Sequence, residues 1–309
     1  MEQTRAPSAF DAKASGQLSK PCKQRTVFDP FTDFVAFGLP VLLALAFVPT
    51  WWLIPPSVVP ALPWFVLVVA VDVAHVWATL FRTYLDKREL LRRPSLYLSV
   101  PAVCFVSSFV VYRLGSPRLF WTCISYAAIY HFVKQDLGLL FLYIARNSGR
   151  VTKRQVDFER VTLYVGAGCP ILLWHASPPD AFHWFRGGER FLFELPAPLL
   201  VPVQMLWLGT LLAYAFIELR RWRGGAPPNV GKLFVMATSW ATWAFGTLCD
   251  HEVATLAALN LFHGVPFFVM VFQYCRRRWA SLEPAGCADR LTVLLTRRWY
   301  VFWMASDCH

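Results

Sequence analysis

Charge is scarce in this chain: Asp, Glu, Lys and Arg make up 16% of its 309 residues, against about 25% in a soluble domain. Recognisable catalytic signatures are scarcer still. HExxH is missing, which excludes the common zinc-protease helix. The GxSxG elbow and the phosphate-binding loop are missing. So are the clustered histidine boxes of membrane desaturases and hydroxylases. The 8 Cys are scattered, with no CxxC pair, so neither c-type haem attachment nor a disulfide framework is implied. Cys104, Cys123, Cys169 and Cys275 read as small apolar packing residues in helices. The first 30 residues hold no apolar core followed by a cleavage site, so they read as a polar tail and not as a signal peptide.

What is abundant is apolar surface. Hydrophobic residues account for 56% of the chain, mean hydropathy is +0.43, and there are 14 Trp and 26 Phe. Apolar runs recur near the ~20 residues that cross a bilayer as a helix. They do not alternate as barrel strands must, and in lipid every backbone group has to be satisfied within the segment or the barrel. The expected fold is all-α: a polytopic membrane helical bundle of about eight transmembrane helices. The spans fall near 33–50, 59–81, 97–114, 119–143, 161–176, 197–218, 233–250 and 253–275. A further apolar stretch, 291–304, is split by Arg297 and Arg298 and reads as an interfacial helix. The organisation is therefore a disordered cytoplasmic tail (1–30), a transmembrane domain (31–276) and a cytoplasmic or interfacial C-terminal segment (277–309). The long loop 175–198 reads as a connector on the headgroups or a partial lid. No internal repeat is visible.

The basic residues support this count. Lys and Arg favour the cytoplasmic side. Alternate loops hold 25 of them against 4, with Lys134 alone inside a span. Both termini should face the cytoplasm, and the net charge of +11 reflects topology and not nucleic-acid binding. The expected partners are membrane lipid and an apolar small-molecule substrate. The expected location is the cell membrane as a multi-pass protein, the inner membrane in a bacterium.

Ionisable groups inside such spans are costly and mark function or a partner. In the second span Asp72 and His75 are three residues apart and share a face; Thr79 and Asp86 continue it. In the fourth, His131 shares a side with Lys134, Gln135 and Gly138. In the eighth, Asn260 and His263 are three apart, followed by Gly264 and Pro266, which permit a close approach and a kink. At 1.5 Å per residue, His75, His263 and His131 lie about 10, 20 and 22 Å from the cytoplasmic arginines of their spans. Allowing for uncertain ends, the three rings can meet, joined by Asp72. Such a donor set suits iron, zinc, copper or manganese. Gln135, Asn260, Tyr130 and Thr79 are placed to orient the ligands. Asp136 points away from His131 and is expected to pair with Lys134 or a neighbouring arginine. Asp250, His251 and His175 lie at external ends and are expected to be solvated, with a second external metal site as the alternative. His183 and His309 carry no signal.

The fragments AIYHF (128–132) and FHGVP (262–266) resemble the Brp/Blh family of multi-pass membrane proteins, which cleave β-carotene to retinal with a non-haem iron. The resemblance implies O2 chemistry on a long apolar substrate, with His131 and His263 as iron ligands. The family's PHGxxD segment is not reproduced, and DVAH (72–75) stands in that place. The residues themselves point to a membrane metalloenzyme, foremost a non-haem iron oxidoreductase acting on a lipid-like or terpenoid substrate. Two alternatives stay open. One is a proton-coupled carrier using Asp72, His75, His131, Lys134 and Asp136 as a relay. The other is a zinc-dependent membrane hydrolase or transferase, with zinc in place of iron.

Overall fold

The computed structural model describes residues 26–46, 53, 55, 59–146, 151–176, 190–249 and 251–282. The tail to residue 25, most of the loop 175–198, the stretch 291–304, His183, Asp250 and His309 lie outside the described residues. Among the described residues the chain is helical throughout, without strands. In chain order the helices are α1 (Pro30–Ala46), α2 (Ala61–Arg82), α3 (Lys87–Arg92), α4 (Pro94–Gly115), α5 (Pro117–Arg146), α6 (Lys153–Trp174), α7 (Ala197–Arg223), α8 (Val230–Leu248) and α9 (Glu252–Leu282). Each expected span coincides with one of these helices, α3 being the addition. Four of them, α2, α4, α7 and the stretch Glu252–Arg278 of α9, are long and apolar enough to cross a membrane.

Local chemistry explains where helices begin. Asp29 accepts hydrogen bonds from the backbone N–H groups of Phe31 and Thr32, with Pro30 at the first helical position, where its missing N–H costs nothing. Helix α6 starts well before the expected position 161, because Thr152 and Gln155 form a reciprocal capping box. Asn229 caps α8 through the Lys232 N–H. Helix α7 ends in Arg220, Arg221 and Arg223, cations at the negative end of the helix dipole. Gly225 follows with φ +85°, a conformation that glycine adopts freely.

Helix α9 is the axis of the bundle. It packs on α1, α2, α8 and α5, and 67% of its apolar window is buried, against none for α4. Pro266 lies within it, yet the helix runs unbroken. Its contact with α2 is close at one point. A Cβ on Gly264 would lie 2.5 Å from Val71 Cγ1 and 3.1 Å from the Val71 carbonyl oxygen, so only glycine fits without a shift. Helices α4 and α7 expose Leu98, Phe105, Leu206 and Phe216, surfaces suited to hydrocarbon. Cys104 and Cys123 are exposed on helix faces and do not pack inside; Cys169 and Cys275 are buried as expected.

Candidate metal centre

Three helices bring three imidazoles together. His75 comes from α2, His131 from α5 and His263 from α9. One ring nitrogen of each lies within 4.8 Å of the others. His75 and His263 are buried, and His131 is exposed. The closest pair is His75 Nε2 and His263 Nε2, 2.9 Å apart. Without an ion, one of these nitrogens donates its proton to the other, and the tautomers follow from that bond. With metal–nitrogen bonds of 2.0–2.1 Å, adjacent ligand nitrogens lie about 3 Å apart in an octahedral set and about 3.3 Å apart in a tetrahedral one. The observed spacing therefore fits two ligands of one ion with little movement.

The segment that delivers His75 is unusual. Phe65–Val73 is π-helical, a widened form that recurs at functional sites. It carries Asp72, and α-helix resumes at Ala74. Asp72 is not one of the convergent donors. Its Oδ1 lies 3.4 Å from His75 Nδ1, on the far side of the ring from His263. Neither atom is aligned for a hydrogen bond, and His263 Nδ1 is likewise buried without a hydrogen-bond partner. Of the four expected ligands, the three imidazoles converge, and Asp72 lies behind one of them. A carboxylate that fixes a ligand imidazole stands in the same place but is hydrogen-bonded to the ring N–H; here the two atoms are close without that alignment.

The supporting residues differ from expectation in their targets. Gln135 Nε2 donates to the backbone carbonyl of His263 at 2.6 Å, not to a ring. Asn260 Nδ2 donates to the Leu67 carbonyl at 3.2 Å, tying α9 to the π-helical stretch. Both brace the backbone of a helix that carries one of the three histidines. Tyr130 is 65% exposed. Thr79 is half-buried, and its carbonyl accepts from the Thr83 hydroxyl. Ring packing holds the imidazoles instead: Phe132 stacks on His263 at 3.9 Å, Phe267 meets His75 edge-on at 5.3 Å, and His131 lies parallel to His75 at 6.1 Å.

Other ionisable residues stand apart. Asp136 forms no ion pair with Lys134. Its Oδ2 accepts from Ser239 Oγ at 2.6 Å and Trp243 Nε1 at 3.1 Å, both on α8. Lys134 turns to Tyr164 on α6. The five residues of the supposed proton relay are thus divided: Asp72 and His75 lie on α2, His131 and Lys134 on the exposed face of α5, and Asp136 on its buried face toward α8. His175 is not solvated: it is 1% exposed, with Nδ1 bonded to the Ile171 carbonyl and Nε2 to the Tyr126 hydroxyl, both at 2.7 Å. Phe191 and Phe193 flank its ring. With both nitrogens engaged it has no free lone pair for a metal. His251 is also buried, and its Nδ1 accepts from the Ala254 N–H. Among the described residues, the three histidines form the one such grouping.

Sequence reasoning passed over a second polar cluster, at the ends of α6, α7 and α8. Glu159 Oε1 lies 2.6 Å from Lys232 Nζ and 3.4 Å from Arg221, and Glu218 lies 2.9 Å from Lys232 Nζ. Tyr214 donates to Glu159 Oε2 at 3.0 Å. The charges balance and the donors are used. Comparison with known proteins found no matching family model, no matching curated protein and no matching solved structure.

Proposed function

We propose that the chain is an integral-membrane metalloenzyme in which His75, His131 and His263 hold one first-row divalent ion, iron foremost, and which oxidises a lipid-like or terpenoid substrate. The observation that carries this reading is the convergence of three ring nitrogens within 4.8 Å, from three separate helices. Three neutral imidazoles leave coordination positions open, and iron there supplies redox chemistry with O2. The chain's own residues do the rest. With the ion bound, Asp72 is close enough to take up the His75 Nδ1–H after a small realignment, and it offsets part of the ion's charge. Phe132 and Phe267 keep water from the buried imidazoles. Gln135 fixes the α9 backbone at His263. The exposed edge of His131 leaves the open side facing outward from the bundle, so that a substrate enters sideways from the lipid.

In this reading the helices at the eight expected places all cross the membrane, and both termini face the cytoplasm, as the bias of basic residues requires. The fragments that resemble the Brp/Blh family supply two of the three imidazoles, and DVAH supplies the third. Carotenoid cleavage belongs to the class of reaction proposed, with the substrate itself open. Metal analysis of detergent-purified protein tests the reading. About one equivalent of iron is expected, lost alike in His75→Ala, His131→Ala and His263→Ala. Zinc in its place turns the assignment to a hydrolase or transferase, which the same donor set serves. Protein without bound metal overturns it.

A further inference from the structure

The exposed face of α5 carries a second group beside the metal centre. Lys134 is one helical turn from His131, and both are exposed. In the eight-span reading α5 crosses the membrane, where a charged side chain at mid-helix is costly and lysines near helix ends escape by reaching for the interface. Lys134 does not. Its Nζ is directed sideways to the Tyr164 hydroxyl at 3.4 Å. Lys134 is 12 residues from Arg146, about 18 Å from the end of α5, and Tyr164 is 11 residues from Lys153, about 17 Å from the start of α6. Two antiparallel helices thus agree that the ammonium stays at mid-helix level. Among the described residues no carboxylate lies within ion-pair distance of it, since Asp136 faces Ser239 and Trp243. Room is left around it: a Cβ on Gly138, a turn further along, would have nothing within 4 Å. On the other side of His131 the same face continues with Ala127, small and exposed.

We propose that Lys134 and Tyr164 anchor the carboxylate of a long-chain acid, whose neighbouring chain carbons then lie over His131 and the ion. This rests on the proposed membrane reading for the depth of Lys134 and on the metal-centre reading for its consequence. An ammonium and a phenol hydroxyl match the two oxygens and single charge of a carboxylate. Residues a turn apart have Cβ atoms about 5–6 Å apart, so the carbons brought to the ion are those a few bonds from the carboxyl group. The chain runs on along α5 past Ala127. A neutral hydrocarbon such as a carotenoid has no use for this ammonium.

Equilibrium binding to the full-length protein in nonionic detergent at pH 8 tests the anchor, with palmitate, hexadecanol and phosphatidylglycerol as probes. Palmitate is expected to bind at least about tenfold tighter than hexadecanol, the scale of a charge-assisted hydrogen bond. Lys134→Met should erase that preference while bound metal and thermal midpoint stay as in the wild type; Lys134→Arg should keep most of it. His131→Ala should lose metal and keep the preference, which separates the anchor from the metal centre. Equal binding of palmitate and hexadecanol by the wild type overturns the proposal. So does a Lys134→Met variant that retains the preference, or phosphatidylglycerol binding as tightly as palmitate, which makes the site one for a headgroup phosphate.

Discussion

Two buried polar clusters occupy this bundle, and they are finished to different degrees. At the ends of α6, α7 and α8, Glu159, Glu218, Lys232, Arg221 and Tyr214 satisfy one another in charge and hydrogen bonding. Between α2, α5 and α9, the imidazoles stand with His75 Nδ1, His263 Nδ1 and Asp72 Oδ1 buried and unaligned with any hydrogen-bond partner. Native interiors satisfy nearly all buried polar atoms, and exceptions call for an explanation. A closed network specifies structure. An open one, beside a π-helical stretch and braced by two amides, leaves polar atoms that the chain itself does not satisfy. The difference separates a finished staple from the candidate site.

The largest effect should come from breaking the staple. Lys232→Met leaves Glu159, 3% exposed, with the partly exposed Arg221 as its remaining cation beside the Tyr214 hydroxyl. Removing one partner of a buried pair costs about 3–5 kcal/mol. Thermal unfolding in detergent should show that loss, and Lys232→Met combined with Glu159→Gln and Glu218→Gln should recover much of it. The reverse is expected at the other cluster. His263→Ala in metal-free protein should shift the midpoint far less than Lys232→Met does, because it removes an imperfectly satisfied group. Equal losses at the two clusters would erase the distinction drawn between them.

Asp72→Asn sharpens the comparison from the site's side. The amide keeps the shape behind His75 and removes the charge, so stability should hold while metal affinity falls about 10–100-fold. Competition with a chelator measures it. If affinity is unchanged, Asp72 is an ordinary buried acid and not part of the centre.

Much of the site was legible because ionisable residues in apolar runs stand out, and because Asp72–His75 and Asn260–His263 repeat the same spacing. Depth was less legible. Counting from cytoplasmic arginines put the rings at levels about 12 Å apart, yet they meet within 4.8 Å. The count assumes that all helices end at one level. Here α2 stops at Arg82, whereas α5 continues to Arg146 and α9 to Leu282. Gln135 and Asn260 were legible as inward amides, but their targets depend on carbonyls that only the tertiary structure places. Tyr130 was assigned to the cluster although it sits about 100° round the helix from His131. Glu159 and Lys232 look in sequence like ordinary residues near a basic loop; their pairing exists only when three helices close. The eight helical segments were readable from hydropathy, while the start of α6 was missed because its first turn is polar and held by a capping box.

The smallest expected effect lies outside both clusters, at a polar contact that titrates. Asp86 caps α3 by accepting from the Arg88 and Glu89 N–H groups, and its Oδ2 is 3.0 Å from Arg278 Nε at the far end of α9. Burial raises its pKa, but the hydrogen bond and charge of Arg278, with the two backbone donors, outweigh burial and hold it below the ordinary carboxylate value. A carboxyl depressed on folding stabilises fully above its unfolded pKa, about 3.9, and loses that contribution as pH falls through the folded value. Arg278 is 27% exposed, so solvent limits the pair to about 1 kcal/mol. Stability followed by circular dichroism from pH 6 to 2.5 should therefore fall below about pH 4 more steeply in the wild type than in Asp86→Asn. The metal centre enters this contact only through the shared helices α2 and α9. An Asp86→Asn variant that matches the wild type in metal content while losing the acid limb marks the contact as a local tie between the ends of those helices. Loss of metal in the same variant would mean that the height of α9 against α2, and with it the spacing of His263 from His75, is set at the helix ends and not at Gly264.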